Sequence, residues 1–170
     1  MKKYEFTEET KTIKDGTVLR RIRALRDIKL VNGAVVKKGD LGGFLESEDN
    51  LSQFGTSWVF VDAMVYGKSE VYDSALIGGT ARVYGNAIVH EEARVGGSAE
   101  IYGSAELYEE SCVFENARVY GFAEVYGASR VYGNARVYGS AHVYGDARVG
   151  ENKRVYGEME VYCAVKRGDD

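Results

Sequence analysis

From Val59 to Lys166 an aliphatic residue recurs at every sixth position without insertion or deletion: Val59, Val65, Val71, Ile77, Val83, Val89, Val95, Ile101, Leu107 and on to Val161. Four residues after each stands a small one, usually Ala or Ser, and the commonest unit reads Val-Tyr-Gly-Asn-Ala-Arg, as at 131–136. Such a period is not a multiple of 3.6, so a helix would spread the aliphatic positions around its whole circumference. In an extended Ala-x-Val-Tyr strand, alternation sends Ala and Val to one face and the other two outward. The Gly that follows, with Asn, Ser or Asp, is a turn former tolerant of positive φ. Strand and corner alternate, so the chain coils. Each strand is too short to bury its apolar face alone, and stacked coils build one narrow core.

Aliphatic at the first position and small at the fifth, this unit resembles the hexapeptide-repeat superfamily. The resemblance implies three units per triangular turn and a left-handed winding: an all-β, left-handed parallel β-helix of about six coils. The segments Tyr4-Glu5-Phe6-Thr7-Glu8-Glu9-Thr10, Ile22-Arg23-Ala24-Leu25-Arg26-Asp27, Gly42-Gly43-Phe44, Asn50-Leu51 and Trp58-Val59 sharpen it to the YdcK-like bacterial and phage branch, from which no settled activity carries over. Residues 2–13 and 17–28 read as a β-hairpin around Lys14-Asp15-Gly16. Its basic strand, with Arg20, Arg21, Arg23 and Arg26, reads as paired to Glu5, Glu8 and Glu9. The organisation is a hairpin and capping segment over 1–50, the β-helix over 51–166 and a polar tail over 167–170. An end cap is needed because the first coil otherwise exposes an apolar end and an open strand edge.

Composition changes this picture little. The net charge is −4, which gives no overall pull towards nucleic acid. No long apolar run or signal-peptide core is present, so a cytoplasmic location in a bacterial host cell is expected, with no membrane partner. Two cysteines, Cys112 and Cys163, do not make a disulfide framework, and the absence of proline suits uninterrupted ladders.

Stacking residues eighteen apart gives three faces, with rungs about 4.8 Å apart. The first carries a tyrosine column that includes Tyr84, Tyr102, Tyr120 and Tyr138, beside Arg118, Arg136 and Arg154. In-register stacking accounts for the tyrosines. The arginines repel one another unless an anion or acidic partner relieves them, so these seven residues are the candidate surface for a ligand or partner, including a nucleotide or a single-stranded nucleic acid. The second face is aromatic and acidic, and its corner stacks Asp73, Glu91 and Glu109; oxygen ligands there are the candidate metal site. On the third face Trp58, Phe60 and Leu76 form an apolar patch that the hairpin or another subunit must cover, self-association as a homotrimer being one form.

A histidine suits a general base, and the resemblance implies an acyl-CoA donor if the chain is an acyltransferase. His90 is then the candidate, because it interrupts the tyrosine column beside the acidic corner; His142, in a non-equivalent slot about three coils away, cannot pair with it. The array has no insertion loop for an acceptor. The expected role is non-catalytic binding or scaffolding without a cofactor, in a phage setting a host-defence inhibitor or ligand-sequestering protein. Lys153 and Met159 break the small-residue rule, and Met159 reads as a plug for the open end.

Overall fold

The computed structural model describes residues 1–163; the tail at 167–170 lies outside them. Ala and Val turn inward at each rung and are completely buried through most of the array, as at Ala81, Val83, Ala99, Ile101, Ala105 and Leu107. Outward residues alternate with them. The strands stack in parallel, eighteen residues apart: Arg82 pairs with Glu100 and Val83 with Ile101. Three parallel ladders result, one per face. The fold is an all-β parallel solenoid.

Main-chain hydrogen bonds run along the solenoid axis. Arg82 N donates to Ala99 O at 2.9 Å, Tyr84 N to Ile101 O at 2.9 Å and Asn86 N to Gly103 O at 2.7 Å, and the set repeats coil after coil. The corner after the first face needs glycine for two reasons. Gly103 has φ +71°, and a Cβ there would lie 2.8 Å from Gly121 N. An L side chain would be strained and would also push the coils apart.

The cap is continuous with the solenoid. β1 (Tyr4–Thr12) and β2 (Val18–Ala24) pair antiparallel, and the turn is closed by Ile13 N donating to Thr17 O at 3.0 Å. β3 (Ile28–Lys29) and β4 (Val35–Val36) form a small ribbon. β5 (Leu41–Leu45) then pairs antiparallel with β2 and parallel with the Met64–Val65 rung. Leu45 therefore stacks on Val65, Leu51 on Val71 and Val59 on Ile77. The first coil is thus made of Leu45, Leu51 and Val59, although 41–50 reads from the sequence as capping segment. The nine-stranded sheet, less β1 and β2, has seven parallel rungs, and the other two faces have six each. Leu51 to Val59 takes eight residues where later rungs are six apart, and the two extra residues hide the first coil from a strict period.

Two buried cations stitch cap to coil. Arg21 reaches Glu9 at 2.7 Å, donates to Gly42 O at 2.9 Å and Val61 O at 2.8 Å, and lies over the Phe44 ring. Arg23 pairs with Glu5, and Arg20 sits over the Phe6 ring at 3.8 Å. Glu5 and Glu9 thus pair with the basic strand as expected, whereas Glu8 makes no ion pair among the described residues. Lys3 is buried without a carboxylate; its Nζ donates to Ser57 O at 2.9 Å, Ser57 Oγ at 3.0 Å and Phe54 O at 3.2 Å. It thereby fixes the enlarged corner.

The far end differs from the sequence expectation. Met159 is about half exposed rather than plugging the core, and Lys153 is exposed too. Among the described residues no further coil lies above them to enclose a side chain. Inside the solenoid Ser111 Oγ is buried with no hydrogen-bond partner, in a slot that other coils fill with Ala or Ser. Ser111→Ala is expected to raise unfolding free energy by about 1 kcal/mol, read as a higher urea midpoint at unchanged slope. Among the described residues no helix is long and apolar enough to cross a membrane.

Candidate functional site

On the first face Tyr66, Tyr84, Tyr102, Tyr120, Tyr138 and Tyr156 stack with ring centroids 4.8–5.6 Å apart and planes within 18°. A ring inside this ladder has both π faces against its neighbours, so no base can stack on Tyr84, Tyr102, Tyr120 or Tyr138. The column presents ring edges and hydroxyls. Burial, and then Glu100, push the Tyr84 phenol up to about 12. Beside the rings Arg82, Glu100 and Arg118 alternate in sign, with Arg118 Nε 3.6 Å from Glu100 Oε2. Arg118, Arg136 and Arg154 then follow in direct register. All three guanidinium side chains are exposed, and Arg136 and Arg154 have no ion pair among the described residues.

The second face is self-satisfied. His90 is sandwiched between Tyr72 at 4.9 Å and Tyr108 at 5.5 Å, with Nε2 3.1 Å from Glu106 Oε1. Tyr108 and Tyr144 donate their hydroxyls to Glu124 at 3.2 Å and Glu160 at 3.1 Å. Burial, then Glu124, hold the Tyr108 phenol well above its ordinary range. His142 Nδ1 lies 3.6 Å from Glu124. His90, Tyr108 and Tyr144 each meet a carboxylate sixteen residues on, because that places it two residues back along the strand one coil higher. The two histidines are not brought together.

On the third face Trp58 and Leu76 are 1% and 6% exposed, and Phe60 is partly buried. The cover comes from the chain itself: the Trp58 ring packs with Tyr4, Ile22 and Ile28 in one core, and a Cβ at Gly42 would lie 2.8 Å from it. Trp58 is therefore a contact between cap and coil rather than a subunit surface. Above it, an apolar groove of about 380 Å³ runs past Gly78 and Gly96 to Phe114.

Two stretches of the array, 81–97 and 129–145, match the family model described as YdcK Beta solenoid repeat. Over those two stretches the chain is similar to the YdcK β-solenoid repeat. Each match, Ala81 to Gly97 and Ser129 to Gly145, spans nearly one coil and covers three rungs. No curated protein matches the chain.

The acidic corner of this solenoid has a use that its charge pattern conceals. Asp73, Glu91 and Glu109 occupy the left-handed region at φ 54°, 53° and 55°, which costs an L residue about 1–2 kcal/mol. In return the Glu91 carboxylate accepts the Glu109 amide of the next coil at 2.7 Å. Glu115 does the same for Gly133 at 2.7 Å, and Glu46 for Gly67 at 2.7 Å. These corner amides are outside the regular ladder, and a glutamate one coil earlier satisfies them. Asp73, Glu91 and Glu109 are strung one per coil instead of converging; among the described residues no group of three or more His, Cys, Asp or Glu is arranged to hold a metal. Cys112 and Cys163 are not joined in a disulfide.

Sequence reasoning placed Arg21 against the hairpin glutamates but missed its reach to Gly42 and Val61, and it overlooked Lys3 and the gap at Gly96. Lys3 carries no local signal, since it belongs to a cap with no repeat. The gap was legible: glycine stands at 78 and 96 where the repeat elsewhere puts a ring.

Proposed function

We propose that this solenoid is a non-catalytic docking or scaffold protein, and that its first face engages an acidic protein surface. The observation that supports this most is the run Arg118, Arg136 and Arg154. Three exposed guanidinium groups are held in register about 4.8 Å apart, with one carboxylate, Glu100, at the Arg118 end of the run and none beside Arg136 or Arg154 among the described residues. Like charges stacked on adjacent strands are unfavourable, and carboxylates from another molecule would relieve them. The stacked tyrosines hold that strip flat and offer a hydroxyl at each rung. A partner of matching repeat, itself a β-sheet surface, meets the arginines rung by rung. Single-stranded nucleic acid fits less well, because the ring faces a base would use are occupied within the ladder.

An acyltransferase reading would rest on His90. Its ring is clasped on both faces by tyrosines and tied to Glu106, and it does not line the groove on the third face. That geometry supports a rung of a ladder better than a base that reaches a substrate.

The test is affinity capture with the intact chain and with R136E/R154E, at low and high salt, beside titration with an unstructured single-stranded oligonucleotide. The proposal expects one protein retained by the wild type, released by salt and lost at least tenfold by the double variant, with the oligonucleotide unbound. Equal retention by both chains, or tight salt-sensitive oligonucleotide binding, overturns it.

A further inference from the structure

The third face has its own aromatic column, Phe60, Gly78, Gly96, Phe114, Tyr132 and Gly150. It is broken, and the breaks are not equivalent. Over Gly150 lies the Tyr132 ring from the coil before, directly against the place a Cβ would take. Over Gly78 leans the Phe60 ring, 3.7 Å from its Cβ position. Over Gly96 nothing lies within 4 Å. Phe114 stacks on Tyr132 at 5.5 Å with planes 10° apart, and its other side faces the empty rung. Two consecutive rungs, Gly78 and Gly96, carry no ring of their own; Phe60 leans over the first, and the second lies open against Phe114.

We propose that this break is a binding slot for one planar ring bearing an anionic group, of the nucleoside phosphate class. The inference concerns a different face from the docking strip and stands without it. A flat ring seated over Gly96 continues the column and covers the free face of Phe114, as each ring of the two tyrosine ladders covers its neighbour. The floor is apolar, formed by Val95, Val113 and the glycines, and Leu76 closes one side. The anion follows from the flanks. Arg94 and Arg130 line the groove, their side chains are exposed, and neither has an ion pair among the described residues. A second copy fits poorly: self-paired faces would set the arginines against each other across an apolar gap. Neither an apolar ring alone nor a phosphate alone uses both halves of the site. Stacking supplies the sequence-tolerant part and the guanidinium groups the charge.

The experiment is calorimetric titration of the intact chain with adenosine monophosphate, with adenosine and inorganic phosphate as controls, at low and high salt. Saturable one-to-one binding of the nucleotide is expected, at least tenfold tighter than adenosine and weakened by salt, with phosphate alone unbound. Gly96→Tyr should restore the missing rung and abolish nucleotide binding by filling the slot. Gly96 does not have positive φ and has open space at its Cβ, so this variant should melt no lower than the wild type. R94Q/R130Q keeps the floor intact and should weaken the nucleotide tenfold or more while leaving adenosine unchanged. The proposal is overturned by absence of nucleotide binding to the wild type, or by binding that survives a folded Gly96→Tyr. Equal loss of adenosine and nucleotide in R94Q/R130Q also overturns it, as does concentration-dependent dimerisation that Gly96→Tyr abolishes.

Discussion

Trp58→Ala is expected to lower unfolding free energy by about 3–5 kcal/mol, the largest loss of any single substitution considered. Trp58 is the largest fully buried side chain, and it lies where the first complete coil meets the cap. Its strand pairs with the Leu76 rung above, and its ring fills the space beneath Gly42, Ile22 and Tyr4. Removing it deletes apolar burial and leaves a cavity that rigid strands on both sides cannot close. In a solenoid the neighbouring coils hold one another pairwise, so the damage should be local. Amide exchange should accelerate first in 1–59 while the rungs around Val119 and Val137 stay protected. Uniform acceleration along the chain would sink this account. Trp58 is also the only tryptophan, so the wild-type emission should be that of a dry indole shielded from soluble quenchers.

Stability is expected to rise with pH from about 7 to about 10 and to fall beyond it. The rise comes from Lys3. Burial, and secondarily the Arg26 charge, lower its ammonium from 10.5 to about 7. Between those values the unfolded chain keeps a proton that the folded chain has lost, so raising the pH favours the folded state. The neutral amine still donates to the Phe54 and Ser57 carbonyls while the Ser57 hydroxyl turns to donate to it. The fall comes from the ladders. Burial raises Tyr84 to about 12, and it also raises Tyr66, Tyr102 and Tyr126 above 10.0. A raised phenol contributes stability that is complete below its unfolded value and lost as pH climbs through its folded one. Urea midpoints measured from pH 6 to 12 test both limbs. Lys3→Met should remove the rising limb and keep the alkaline fall. It should also cost about 1–3 kcal/mol for carbonyls left without a donor. A rising limb that persists in Lys3→Met would show that another group carries it.

The tyrosine columns show how far pattern reasoning reaches. Their register follows from the interval of eighteen residues alone, and the rings stack as that interval requires. What it does not convey is that each ring spends both faces on its neighbours, which turns a platform for bases into a row of edges and hydroxyls. The acidic corner shows the same limit. Asp73, Glu91 and Glu109 repeat visibly, but only the backbone reveals that Glu91 caps the amide of Glu109.

By itself the sequence determined that the chain coils into stacked short strands: a strict six-residue interval, inward Ala and Val, and glycine corners repeat without a break. The ladders of the structure set the coil at three rungs, with residues eighteen apart in register. Only the tertiary structure decided how the ends are finished and where the surface is unsatisfied. Lys3, Arg21 and Trp58 act between segments far apart in the chain, where no period links them. The empty place over Gly96 exists because Phe60 and Tyr132 lean over the other glycines and nothing leans over this one. Local spacing fixes which residues share a column, whereas the lean of a side chain depends on all of its neighbours at once.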